Sequence, residues 1–142
     1  MDQAMVDKLR VSLTKHEGRT NKLYTDTMGK ASGAIGYNFT DRGVPDWFID
    51  KQFLDDISFF YQKWWDCFDW YKDLSVDRQI VLIDMSFMGF QRILEFTTML
   101  SCLGRQDYAG AAEAMLDSAW ARQVGKRSTD LADGMRTGVY NP

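Results

Sequence analysis

The spacing of apolar residues along the chain predicts a protein that is mostly helical. In several stretches apolar side chains recur every three or four residues, as they do when one face of a helix packs against a core. These stretches are residues 2–16, 46–71, 75–88, 91–103, 108–116 and 126–136, with a short turn headed by Trp120 before the last one. Asp2 and Ser75 stand where N-caps are expected, and Gly18 and Gly89 stand where helices should end.

The first of these helices should carry one packed face. Met5, Leu9, Leu13 and His16 follow one another at spacings of four, four and three residues. We therefore expect this stripe, including the only histidine, to lie in or at the rim of a core. Glu17 then falls in the last turn of a helix that packing holds in place.

Strand signals are confined to residues 22–40. Gly29, Gly33 and Gly36 punctuate this segment, and Asp26-Thr27-Met28-Gly29 is typical of a turn. A small antiparallel β-hairpin is therefore expected between the first helix and the rest. The predicted fold class is α+β, mainly α, with helices after the hairpin that are joined closely enough to form a bundle.

Length and composition restrict the class of protein. A chain of 142 residues with 45% hydrophobic and 26% charged residues is typical of one globular domain, here 1–142. A net charge of -3 argues against nucleic acid as the main partner. The sequence has no membrane-length apolar run and no apolar signal segment at its start, so we expect it to be made in a cytoplasm without a signal peptide. Cys67 and Cys102 form no metal-ligand pattern and are expected to be buried thiols.

Two carboxyl groups, one just before the predicted hairpin and one in its first turn, are candidates for catalysis. Glu17 ends the first helix, and Asp26 lies nine residues later in the first turn. Glycoside hydrolysis needs one protonated carboxyl to supply a proton to the leaving oxygen and one carboxylate to activate water or attack the sugar. On this interpretation Glu17 is the acid and Asp26 the base. A purely structural interpretation stays open, because Glu at helix ends and Asp in turns are common.

Three short motifs lie in the same segment: Glu17-Gly18, Tyr24-x-Asp26-Thr27-x-Gly29 and Ser32-x-x-Ile35-Gly36. Together they resemble the active-site segment of the phage-type lysozymes, glycoside hydrolase family 24. The resemblance implies that Glu17 and Asp26 are the catalytic acid and base. It also implies that Ser32 takes the place of the threonine that positions the attacking water.

The resemblance continues far downstream, in the segments Ile83-Asp84-Met85-Ser86-Phe87, Phe96-Thr97, Ala111-Ala112, Trp120, Arg127 and Arg136-Thr137-Gly138. It places Arg127 beside the catalytic acid as a charge partner, and Tyr37, Asn38 and Phe87 among the residues that bind substrate. Tyr37 departs from the family, which has a histidine there. Residues 38–75 match poorly and are far more aromatic than the family's usual sequence.

A two-lobed lysozyme-like fold follows from the same resemblance. The small lobe would span about 17–58 and contain the hairpin. The helical C-terminal lobe would span about 70–142 and include the N-terminal helix. A long aromatic helix would join the two. The roles of Trp65 and Trp70 on that helix are left open.

The implied function is that of a muramidase, which hydrolyses the β-1,4 bond between N-acetylmuramic acid and N-acetylglucosamine in bacterial peptidoglycan. No metal and no cofactor is implied, because two carboxyl groups and a water suffice. We expect a monomer that acts on the periplasmic cell wall after release through a holin, carriage in a virion or injection. Two alternatives stay open: a lytic transglycosylase that uses Glu17 alone, and an inactive lysozyme-like binding module that has lost the family's histidine.

Overall fold

A computed structural model describes residues 2–142 and shows a mainly helical protein with one small antiparallel sheet, which confirms the predicted fold class. The contacts group the chain into two compact units, the first ending at Gln52 and the second spanning Phe53–Pro142. The elements, in chain order, are α1 (Gln3–Glu17), β1 (Thr20–Thr25), β2 (Ala31–Ala34), β3 (Tyr37–Asn38), α2 (Phe39–Arg42), α3 (Asp46–Cys67), a 3₁₀ helix (Asp69–Asp73), α4 (Val76–Ser86), α5 (Phe90–Ile93), α6 (Thr97–Gly104), α7 (Tyr108–Leu116), α8 (Ala119–Val124) and α9 (Lys126–Thr137).

Helix α1 begins and ends as its sequence predicts, but its apolar stripe is not buried. The Asp2 carboxylate accepts a hydrogen bond from the Met5 backbone at 2.8 Å, and Gly18 adopts a positive φ of 75° where the helix ends. None of the 15 residues of α1 is buried, and Met5, Leu9 and Leu13 are all exposed. The expectation of a packed stripe is therefore wrong. Periodicity identifies the apolar face of a helix but not whether anything covers it.

The predicted hairpin is β1–β2, and a third strand extends it into a sheet of order β1-β2-β3. In the central strand, Ser32 pairs with Tyr24 on one side and with Asn38 on the other. Ala34 and Gly36 both have positive φ angles, 53° and 64°, which allow the sharp turn from β2 to β3. Ser32 therefore lies at the centre of the sheet, where neighbours on both sides fix its position.

An aromatic core surrounds Trp64 in the second unit. Trp64 is fully buried on α3, and its indole N–H donates a hydrogen bond to the Ser86 hydroxyl of α4 at 2.9 Å. Its ring contacts those of Phe68, Trp70, Tyr71 and Phe90.

The apolar stripe that the sequence predicts for α3 runs from Ile49 to Phe68, and only its second half joins this core. Trp64 is buried and Phe60 and Phe68 pack against it, whereas Ile49 and Phe53 are exposed, so that part of the prediction was wrong. The same packing gives Trp70 a structural role.

Trp65 lies outside this core. It remains 46% exposed and stacks on Tyr61, with the ring centroids 5.8 Å apart.

Two arginines connect α4 to α9 at opposite ends of the pair. Arg78 of α4 donates to the carbonyl oxygens of Met135 and Arg136, near the C-terminus of α9, at 2.8 and 3.2 Å. At the other end Arg127 of α9 binds Asp84 of α4. Backbone carbonyls at a helix C-terminus lack helical donors, so a cationic side chain there supplies hydrogen bonds and a favourable charge.

The sequence prediction differs from the structure in two details of the second unit. The single helix predicted over residues 91–103 is divided into α5 and α6 around Leu94–Phe96. Both cysteines are free thiols; Cys102 is buried as predicted, but Cys67 is exposed, so that prediction was wrong. Cys67 is the last residue of α3, where the chain leaves the helix.

The predicted helical lobe combines α1, which belongs to the first unit, with helices of the second unit. This grouping of α1 stays a prediction. Across residues 2–142, none of the helices combines the length and the apolar character that crossing a bilayer requires.

Tyr71 provides a test of the aromatic core. Its side chain is fully buried, burial raises the pKa of its phenol, and within residues 2–142 its hydroxyl has no hydrogen-bond partner. Tyr71→Phe should therefore leave the free energy of unfolding unchanged or raise it by up to about 1 kcal/mol, as measured by urea melts.

Ser86→Ala is the matched control, because it leaves the buried Trp64 indole N–H without its acceptor. We expect it to lower the free energy of unfolding by about 1–3 kcal/mol. An equal loss in Tyr71→Phe would show that the phenol makes a stabilising hydrogen bond after all.

Candidate functional site

The candidate site is built on the turn that joins β1 to β2. The Asp26 backbone N–H donates to the Lys30 carbonyl at 2.9 Å, and the Gly29 N–H donates to the Asp26 carbonyl at 3.0 Å. Gly29 has a φ of 75°, in the left-handed region that favours glycine. The sequence therefore forms a tight turn with Asp26 at its first position and Lys30 at its last.

The Asp26 carboxylate is held by three hydrogen bonds. Its Oδ1 accepts from the backbone N–H groups of Met28 and Lys30, both at 2.9 Å, and its Oδ2 accepts from the Ser32 hydroxyl at 3.2 Å. The bond from the Lys30 backbone is the main cause that lowers the pKa of Asp26, and partial desolvation opposes it. Hydrogen bonds to the charged form favour that form. Asp26 is therefore ionised at neutral pH, as a base must be.

The structure brings Asp26 together with Ser32, the residue that the resemblance implies positions the attacking water. Ser32 is only 5% exposed and is fixed in the central strand, so its hydroxyl has little freedom to move. A hydroxyl that donates to a carboxylate keeps lone pairs that can accept a further hydrogen bond. The pair can therefore share one water between a carboxylate oxygen and a hydroxyl oxygen.

Glu17 approaches the second turn of the same sheet. It is the last residue of α1, its side chain is exposed, and it lies against Gly36 between β2 and β3. A Cβ atom at Gly36 would lie 3.0 Å from both Cγ and Oε2 of Glu17, a tight contact that the Glu17 side chain would have to relieve by moving. Glycine is thus favoured at position 36 by its positive φ, and its lack of a side chain leaves room for the Glu17 carboxyl.

Asn38, a predicted substrate-binding residue, uses its amide within the first unit. Its Oδ1 accepts from the Asp41 N–H at 3.1 Å and so caps α2, and its Nδ2 donates to Asp41 Oδ2 at 2.9 Å. Asp41 in turn binds the Lys30 ammonium. The role of Asn38 in binding substrate stays a prediction, and the structure adds a capping role.

Tyr37, where the resembling family has a histidine, also has partners nearby. Its hydroxyl donates to the Gly43 carbonyl at 3.0 Å. Its ring lies 4.7 Å from that of Phe39 and 4.3 Å from the guanidinium carbon of Arg42. The phenol therefore joins β3 to the end of α2 by a hydrogen bond, a ring contact and a cation–π contact.

The remaining two predicted site residues belong to the second unit. Phe87 is 48% exposed and packs edge-on against Phe60, with the ring centroids 5.2 Å apart. Arg127 donates to Asp84 Oδ1 through Nε at 2.9 Å and through Nη2 at 2.6 Å, and also to the Asp84 carbonyl. The pairing of Arg127 with the catalytic acid stays a prediction, as does the contact of Phe87 with substrate.

A groove of about 640 Å³ also lies in the second unit. Its described lining includes Arg92, Phe96, Met99, Asp117 and Trp120, and none of the predicted site residues. Within residues 2–142, no three His, Cys, Asp or Glu side chains lie close enough together to hold a metal ion.

Comparison of the chain with protein-family models gives no match, and comparison with curated proteins gives no significant match. The geometry of the site and the motifs in the sequence are therefore the basis for assigning a function.

The contacts of Tyr37 lead to a stability prediction. Tyr37→Phe removes the hydrogen bond to Gly43 and keeps the ring contacts, so it should lower the free energy of unfolding by on the order of 1 kcal/mol in urea melts. Tyr37→Ala also removes the ring and should lower it further. A loss of several kcal/mol in Tyr37→Phe would show that the hydroxyl has a larger polar role.

Proposed function

We propose that the protein is a peptidoglycan muramidase of the phage-type lysozyme class, which hydrolyses the β-1,4 bond between N-acetylmuramic acid and N-acetylglucosamine. The observation that carries the proposal is the Asp26 carboxylate, held ionised by its turn and joined to the Ser32 hydroxyl at 3.2 Å. This pair has the chemistry needed to bind and deprotonate one water. The motifs around it resemble those of phage-type lysozymes.

In the proposed reaction Asp26 is the general base. A water bound between Asp26 and Ser32 attacks the anomeric carbon, and the carboxylate takes up one of its protons. The two backbone hydrogen bonds on Oδ1 hold the carboxyl group in the turn and leave Oδ2 to serve Ser32 and the water. Attack by water on the face opposite the leaving group gives single displacement with inversion.

Glu17 is the proposed general acid. It donates its proton to the glycosidic oxygen as the bond from the anomeric carbon to that oxygen breaks, so the leaving sugar departs with a free hydroxyl. After one turnover Glu17 is ionised and Asp26 is protonated, and exchange with solvent restores both. The backbone at Gly36 has no side chain to obstruct the Glu17 carboxyl.

The organisation around Asp26 favours hydrolysis over transglycosylation. A lytic transglycosylase forms an anhydro sugar and needs Glu17 alone, so it has no use for an ionised Asp26 beside a fixed hydroxyl. An inactive binding module would use the same hydrogen bonds only to stabilise the turn, and lysis of cells by the parent protein separates that case from catalysis. The replacement of the family's histidine by Tyr37 is accommodated by contacts of the phenol itself.

The remaining parts of the proposal follow the resemblance. The substrate is bacterial peptidoglycan on the periplasmic side, reached by a monomer that uses no cofactor. The resemblance assigns Arg127 as the charge partner of the acid and Phe87 to substrate binding. Tyr37 and Asn38 would contact the glycan beside the sheet.

Glu17→Gln tests the proposed acid. It preserves the size of the side chain and removes the transferable proton, so lysis of chloroform-treated Gram-negative cells should fall at least 100-fold, about the contribution expected of a general acid. The thermal melt should be unchanged, because the side chain is exposed.

Glu113→Gln is the matched control, since it makes the same change at an exposed position on α7. It should lyse cells like the parent. Equal lysis by Glu17→Gln and the parent would exclude Glu17 as the acid.

A further inference from the structure

The turn that carries Asp26 is attached to α2 through the next residues of the chain. Lys30 is bonded to Asp26 through its backbone, since its N–H donates to Asp26 Oδ1 and its carbonyl accepts from the Asp26 N–H, both at 2.9 Å. Its side chain extends to α2, where the ammonium binds Asp41 Oδ1. One residue thus links the proposed base to a separate element.

A second contact also joins this part of the chain to α2. The Ala31 N–H donates to the Thr40 hydroxyl at 2.8 Å, beside the pair formed by Lys30 and Asp41. Asp41 is itself held, because its Oδ2 accepts from the Asn38 amide at 2.9 Å. The last residue of the turn and the residue after it are therefore bound to two successive residues of α2.

We propose that Lys30 and Asp41 form a positioning pair that holds the turn of Asp26 against α2 and so fixes the base in the geometry that hydrolysis requires. The role of the pair in catalysis rests on the proposed function; its attachment to Asp26 does not. Neither residue belongs to the motifs that carry the resemblance. The pair is thus a feature of this chain's own site.

The pair acts on Asp26 in two ways that can be separated: it attaches the turn to α2, and its charges influence the Asp26 carboxylate. The Lys30 ammonium lowers the pKa of Asp26, although less than the hydrogen bond from the Lys30 backbone N–H does, and the carboxylates of Asp26 and Asp41 repel each other. The Lys30 ammonium favours the ionised form of Asp26, whereas the Asp41 carboxylate opposes it. Because these charges oppose each other, removing Asp41 loosens the attachment without weakening the electrostatic support for the Asp26 carboxylate.

Because the charges of Lys30 and Asp41 have opposite effects on Asp26, variants at the two positions should differ in the pKa of Asp26. In Lys30→Met the attachment and the favourable charge are lost while the backbone hydrogen bond to Asp26 is kept, so the pKa of Asp26 should rise slightly. In Asp41→Asn the unfavourable charge is lost, so the pKa of Asp26 should stay the same or fall. Both variants should reduce kcat, because a displacement of about 1 Å at a reacting group can cost as much as 100-fold in rate.

The experiment measures the pKa of Asp26 by carbon NMR of its carboxyl group, and kcat and KM on soluble peptidoglycan fragments across pH. For Lys30→Met we expect a higher pKa for Asp26, an acid limb of the kcat profile shifted to higher pH, a kcat about tenfold lower and a KM changed little. Lys30→Arg, which keeps the charge and can still reach Asp41, should restore most of kcat. Asp41→Asn should lower kcat without the shift of the acid limb.

Lys22→Met is the matched control, because it removes an exposed lysine from the same hairpin that acts on neither Asp26 nor Asp41. It should behave like the parent. Thermal melts identify any variant that fails to fold, and the pKa of Asp26 is then compared in the remaining members of the series.

A Lys30→Met variant with an unchanged pKa for Asp26, or an Asp41→Asn variant with the parent's kcat, would overturn the proposal. The pKa measurement needs no substrate. Failure of the parent to cleave peptidoglycan would therefore refute the proposed function. An unchanged pKa of Asp26 in Lys30→Met would instead refute the role proposed for the pair of Lys30 and Asp41.

Discussion

The hydrogen bonds to the Asp26 carboxylate are the interaction on which the first unit depends. Two backbone N–H groups of one tight turn and one hydroxyl of the next strand all point to this side chain. The turn fixes the pairing of β1 with β2 and so places Ser32 opposite Tyr24. A neutral side chain at position 26 would accept these bonds less strongly, because hydrogen bonds to charged groups are the stronger kind. The same three bonds stabilise the turn and keep the proposed base ionised.

The second unit depends on a different constraint, the burial of Trp64. Its indole N–H cannot be left without an acceptor in an apolar core, and Ser86 supplies one from α4. The Ser86 hydroxyl in turn donates to the Leu82 carbonyl of its own helix at 2.7 Å. This short chain of polar groups fixes the contact of α3 with α4 inside an otherwise aromatic core. The active chemistry proposed for the first unit and the packing of the second therefore rest on separate hydrogen-bond networks.

The sequence predicts elements whose signals are local. Capping residues mark the starts of α1 and α4, and α7 is predicted with its observed bounds because Asp107 precedes its alanine-rich stretch. The motif spacing also predicts that Asp26 and Ser32 meet, because they lie six residues apart around one turn. Features that depend on distant partners are missed. Strand β3 is only two residues long and has no periodicity to read, and the apolar stripe of α1 gives no sign that it lies exposed. Lys30 and Asp41 belong to no recognisable motif, and their contact depends on the course of the chain between them.

The stereochemistry of the first-formed product tests the proposed mechanism most directly. Single displacement by a water held between Asp26 and Ser32 inverts the anomeric carbon, so proton NMR recorded early in the reaction should show the α-anomer released from the β-linked chain. Mutarotation later mixes the anomers, which is why the first spectra decide the outcome. A β-anomer would indicate double displacement through a covalent intermediate, and an anhydro sugar would indicate transglycosylation. Either product would contradict the role assigned to Asp26.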